Sequence, residues 1–166
     1  PLASIGIRGD STAVWFANKW YGSVPPAENV WKSSEWLLKN LPTSLLPNTI
    51  LFGGRNDTQP WSKSTIKNME ALGQAVAKRW SNPILWILPK PLWWFTWPAD
   101  RYDERDPYCE YMFSLNNKPI LDKEGKDTWK KRRIVDCRNV DIWPDQLHAD
   151  PIALNTIITD ELAIQA

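Results

Sequence analysis

The chain has 166 residues, with 20 lysines and arginines against 19 aspartates and glutamates, for a net charge of +1. That length suits a single domain spanning 1–166, whose core is large enough to need no disulfide framework or structural metal. The balanced charge gives no bulk electrostatic reason for a nucleic-acid partner, and two cysteines, Cys109 and Cys137, point to reduced thiols, with one bridge as the alternative.

The first apolar run, residues 3–8, predicts a short strand that Gly9-Asp10 closes with a turn. Val14, Trp15 and Phe16 suggest a first helix over 12–21. Pro25-Pro26 excludes helix from the turn at 22–27, and Glu28 to Trp31 is a candidate second strand. Ser33 or Ser34 can cap a helix running to Asn40, which Pro42 ends. The run Thr49-Ile50-Leu51-Phe52, bounded by Pro47-Asn48 and Gly53-Gly54, predicts a buried strand. From Ser62 or Ser64 to about Trp80, Ile66, Met69, Leu72, Val76 and Trp80 recur at helical spacing. Ile84 to Leu88 predicts another buried strand. Residues 89–106, rich in proline, tryptophan and charge and without a clear period, read as a long loop or lip, and residues 107–128 are of mixed character and support no assignment. The basic run Lys130-Lys131-Arg132-Arg133 reads as a solvated approach to a last strand over 133–140. Asp150-Pro151 has the form of an N-cap and first helical residue, with Leu154, Ile157, Ile158 and Leu162 inward. Strands alternating with helices predict an α/β fold with a parallel sheet, whose carboxyl edge is where ligands bind.

Three motifs fall just past predicted strand ends on that edge. They are Gly9-Asp10-Ser11, Gly54-Arg55-Asn56-Asp57 and Asp145-Gln146-Leu147-His148, the last holding the only histidine of the chain. They supply the parts that acyl transfer requires. Ser11 is the candidate nucleophile, at a helix N-terminus where negative charge is favoured. His148 is the candidate base, and Asp145 is placed to orient its ring. Asp141 competes with Asp145 from further away. The Asn56 amide and the Ser11 N–H are candidate oxyanion donors.

In these blocks and their order the chain resembles the SGNH/GDSL hydrolase family of serine esterases. Thr12 stands where that family often has leucine. The resemblance implies a flavodoxin-like three-layer α/β/α sandwich with a central parallel sheet, and cleavage of esters, often acyl groups on lipids or sugars. The family's second block carries a glycine whose N–H completes the oxyanion hole. Lys32-Ser33-Ser34 stands there without one, so a backbone N–H near Ser33 is the expected substitute, or the hole has two donors.

Tryptophan is the compositional outlier, at 12 residues. The cluster Trp93-Trp94-Phe95-Thr96-Trp97-Pro98 reads as a partly exposed lip for sugar or acyl chains, with closure over the core as the alternative. Trp143 is a candidate pocket wall. Arg55 either favours an anionic substrate or forms a structural salt bridge. Arg8-Gly9-Asp10 spells an adhesion tripeptide that a strand end and nucleophile turn explain better. One histidine makes a metal site improbable, and the proposed chemistry needs no cofactor. No run is long and apolar enough to span a bilayer and no leader precedes Ile5, so a cytoplasmic location is the default expectation. The expected substrate is a small ester or acylated saccharide. A lipid-directed esterase is one alternative, and a weakly active or inactive carbohydrate-binding or assembly module on the same fold is another.

Overall fold

The computed structural model describes residues 5–20, 30–57, 62–88, 105–142 and 148–165. Its elements are β1 (Ile5–Gly9), α1 (Ser11–Trp20), α2 (Ser34–Lys39), β2 (Asn48–Phe52), α3 (Lys63–Lys78) and β3 (Asn82–Ile87). They are followed by α4 (Arg105–Ser114), β4 (Pro119–Leu121), β5 (Asp127–Lys131), β6 (Arg133–Asp136) and α5 (Pro151–Gln165).

β1, β2, β3 and β6 form a parallel sheet in that order, with Gly9 opposite Phe52 and Phe52 opposite Trp86 near the carboxyl ends. Successive strand residues point to opposite faces, and here both faces are apolar. Ile50, Phe52, Ile84, Trp86 and Val135 pack with Phe16 of α1 and with Leu154 and Ile158 of α5. Leu51, Leu85, Ile87 and Ile134 pack instead with Leu37 of α2, Met69 and Val76 of α3, and Met112 of α4. Helices therefore cover both sides of the sheet, which explains why these strands read as continuous apolar runs. Phe52 meets Phe16 and Trp86 edge-on, at centroid distances of 5.8 and 5.2 Å, a favoured geometry for buried rings.

Local chemistry sets the element ends. Ser33 Oγ accepts from Trp36 N at 3.2 Å and starts α2. Asp150 Oδ1 accepts from Ile152 N at 3.0 Å, and Pro151 opens α5 as the sequence suggests. Arg133 grips Glu161 of α5 through Nε and through Nη2, the latter at 2.9 Å, and so ties β6 to the last helix.

Several segments differ from expectation. Val30 and Trp31 lie in a turn rather than a strand, and Trp31 has φ +66; Glu28 and Asn29 lie outside the described residues. α3 stops at Lys78, so Trp80 falls beyond it and faces solvent instead of the core. Residues 105–114 are helical, so Arg105 and Asp106 open a helix rather than end the expected loop, and β4 pairs with β5 as an antiparallel hairpin where the mixed sequence supported no assignment. β6 stops at Asp136, whose Oδ1 accepts from Arg138 N at 3.0 Å and turns the chain. The Lys130–Arg133 run is less solvated than expected: Arg132 is half-buried and donates to Glu70 O at 3.3 Å. Cys109 and Cys137 are buried on opposite faces of the sheet and are not bridged to each other, and burial pushes the Cys137 thiol up to about 12. Among the described residues, no helix is long and apolar enough to cross a membrane.

Candidate active site

β1 must end on glycine. A Cβ at Gly9 would lie 2.0 Å from Phe52 O of the neighbouring strand, so no side chain fits. This close approach lets Asp10 N donate to Phe52 O at 3.0 Å. Asp10 then caps α1, its Oδ1 accepting from Thr12 N at 2.9 Å. Ser11 becomes the first helical residue. Its N–H belongs to the first turn, where backbone donors have no intrahelical acceptor.

His148 enters from 137 residues away, and its Nε2 lies 3.1 Å from Ser11 Oγ. The backbone around it is pinned by an antiparallel bridge between Ile142 and Ala149 and by Asp150 N donating to Asp141 O at 2.8 Å. Trp15, one helical turn after Ser11, stacks on the imidazole at 5.7 Å between centroids and 17° between planes. The indole thus holds the ring against the serine. A neutral imidazole at this distance can accept the hydroxyl proton.

Asp10 is 1% exposed, and desolvation raises its pKa above the usual carboxylate range. The Arg55 guanidinium, the Thr12 N–H and His148 oppose that rise. Arg55, 4% exposed, reaches toward Thr12 Oγ1 at 3.5 Å. It therefore sits against the Gly9–Ser11 turn, where its charge offsets that of Asp10.

Past β2, Gly54 takes φ +90, a left-handed turn that glycine adopts without strain. The turn presents Asn56, whose Nδ2 donates to Lys32 O at 3.2 Å. That bond uses one of the two amide hydrogens. Asp57 makes long-range bonds. It accepts from Ser34 N at 2.8 Å, Ser34 Oγ at 2.6 Å and Thr65 Oγ1 at 2.8 Å, and so clamps the starts of α2 and α3 together. Ser33, with its hydroxyl capping α2, lines a polar cleft of about 390 Å³ together with Asn56 and Asp57.

The structure thus brings Ser11 and His148 together, and sets the turn holding Arg55 and Asn56 beside the start of α1. Asp145, Trp143 and the lip residues Trp93, Trp94 and Trp97 lie outside the described residues. Trp15 and the Asp10–Arg55 arrangement were missed from sequence. Trp15 carried a readable signal, because residues four apart share a helix face.

If the Asn56 amide serves a developing oxyanion, Asn56→Ala should lower kcat roughly 10²–10³-fold with little change in KM. Steady-state kinetics on a soluble ester checks this, and an unchanged kcat removes Asn56 from the mechanism. Among the described residues no three His, Cys, Asp or Glu side chains converge as a metal site. Comparison with protein-family models, curated proteins and solved structures finds no match for this chain.

Proposed function

We propose that the chain is a serine hydrolase of the SGNH/GDSL type, built on a flavodoxin-like α/β/α sandwich, that removes a small acyl group such as acetyl from a saccharide. The observation that carries this reading is the 3.1 Å approach of His148 Nε2 to Ser11 Oγ at the carboxyl edge of a parallel sheet. Ser11 Oγ attacks the ester carbonyl as His148 takes its proton, and Asp145 orients the ring. The oxyanion is met by the Ser11 N–H and the Asn56 amide. His148 then protonates the departing alkoxide, leaving an acyl group on Ser11. Water, deprotonated by the same imidazole, attacks that acyl carbon, and the acid leaves as Ser11 regains its proton.

A weakly active or inactive binding module on the same fold is the second reading. It is favoured by the Asn56 amide bond to Lys32 O and by the absence of glycine from Lys32-Ser33-Ser34. Losing one oxyanion donor costs about 2.7–4 kcal/mol of transition-state stabilisation. Incubation with p-nitrophenyl acetate and with a fluorophosphonate probe separates the two. The hydrolase reading expects turnover and labelling at Ser11, both lost in Ser11→Ala. Turnover that survives in Ser11→Ala overturns it, and no turnover with no labelling favours the binding module.

A further inference from the structure

Where a helix ends in a left-handed residue, a Cβ is strained and glycine is the usual occupant. The end of α3 has the two hydrogen bonds of such a motif: Trp80 N donates to Ala77 O at 3.0 Å and Ser81 N to Val76 O at 3.3 Å. Yet the left-handed residue is Trp80, at φ +63 and 75% exposed. Trp31 and Trp129 repeat the anomaly, at φ +66 and +62, but only Trp129, 81% exposed on β5 with its N–H held by Asp127 Oδ1 at 2.8 Å, lies beside Trp80. A bulky residue at positive φ is an outlier that persists only when something else holds it. Neither indole belongs to a core cluster, so folding gives no reason for a tryptophan at either place.

Both rings line one groove of about 560 Å³ between α3 and the β4–β5 hairpin. Ala71 and Ala75, one turn apart on α3, give it a shallow apolar floor. α3 and the hairpin lead into the amino ends of β3 and β6, so the groove lies at the sheet edge opposite Ser11 and His148. Its charges cancel, with Lys78, Arg79 and Lys123 against Asp122, Glu124 and Asp127. Such a lining favours neither an anion nor a cation. It suits a ligand with flat C–H faces for the indoles and hydroxyls at its margins for the polar groups.

We infer that this groove is a binding site for a neutral glycan chain, laid across Trp80 and Trp129. The site stands independently of the ester chemistry at the opposite edge. With that chemistry present, the groove would hold the protein on a polymer while the active edge stays open.

Gel retardation in hydroxyethylcellulose, arabinoxylan and glucomannan, and fluorescence titration with cellohexaose, xylohexaose and chitohexaose, test the inference on the full chain. At least one of these probes should bind the parent. Trp80→Ala and Trp129→Ala should each weaken it tenfold or more, while Trp31→Ala, at an exposed tryptophan outside the groove, leaves binding unchanged. Trp80→Gly gives a second readout: it should raise the melting temperature by removing the strain, yet lose binding. Three results overturn the inference: no probe binds the parent, binding survives both alanine variants, or sedimentation shows a dimer that Trp80→Ala dissolves. The last assigns the groove to a second copy of the chain. Turnover of p-nitrophenyl acetate, measured on the same samples, reports separately on the hydrolase reading.

Discussion

The double variant Ser11→Ala/His148→Ala should hydrolyse p-nitrophenyl acetate no more slowly than either single variant, each of which lowers kcat by about 10³-fold or more. The expectation follows from the 3.1 Å separation of Oγ and Nε2. A nucleophile and the base that deprotonates it act as one unit, so removing the second member of a broken pair takes nothing further away. Independent roles would instead multiply the two losses, at roughly 1.4 kcal/mol for each tenfold. Single-turnover rates for the three variants and the parent decide between these outcomes. Multiplying losses would mean that His148 acts on something other than Ser11. A single variant within tenfold of the parent would remove that residue from the chemistry.

Gly9→Ala should be among the most destabilising single changes in the chain, on the order of 3 kcal/mol or more. Its Cβ would sit 2.0 Å from Phe52 O and 2.8 Å from the Phe52 carbonyl carbon, both backbone atoms. A side chain could swing away, but a strand backbone cannot without surrendering its pairing. Relief would break the Asp10 N to Phe52 O bond and shift the Asp10 cap, carrying Ser11 with it. For a chain of this size that corresponds to a fall of roughly 6–12 °C in Tm, with activity falling further than stability alone explains. Gly125→Ala is the internal control. It also stands at positive φ, +79, but nothing lies within 4 Å of its Cβ position, so its cost should stay near the ~1–2 kcal/mol of left-handed strain. Equal melting of the two variants would show that the close approach at Gly9 does not matter.

The parts of the fold legible in the sequence are those where a long period or a burial requirement dominated. Ile66, Met69, Leu72 and Val76 marked α3 because one apolar stripe had to face one side of the sheet. Thr49 to Phe52 marked β2 because a strand covered on both faces has no polar side to show. The hairpin escaped because β4 is three residues long and β5, Asp-Thr-Trp-Lys-Lys, carries almost no apolar alternation. α4 escaped because Arg105 and Asp106 fell in the segment read as a loop or lip, and Pro107 is tolerated in its first turn, where the missing N–H has no acceptor to lose. Cys109, Met112 and Phe113 did follow helical spacing there. Trp80 continued the α3 stripe on paper, and only the termination at Lys78 turned it outward. The serine and histidine were legible because each follows a strand, which fixes the sheet edge it occupies. The stacking of Trp15 and the burial of Arg55 were not, since both depend on how α1 rolls against the sheet.

The docking of α5 decides how durable the pairing at the site is. The backbone that positions His148 leads directly into a helix anchored by Leu154 and Ile158 on the sheet and by Glu161 on Arg133. Ser11, by contrast, is held by the end of β1 and the Asp10 cap. Local opening of α5 would therefore part the imidazole from the hydroxyl while the serine turn stays folded, so that the seat of one helix sets the lifetime of the contact.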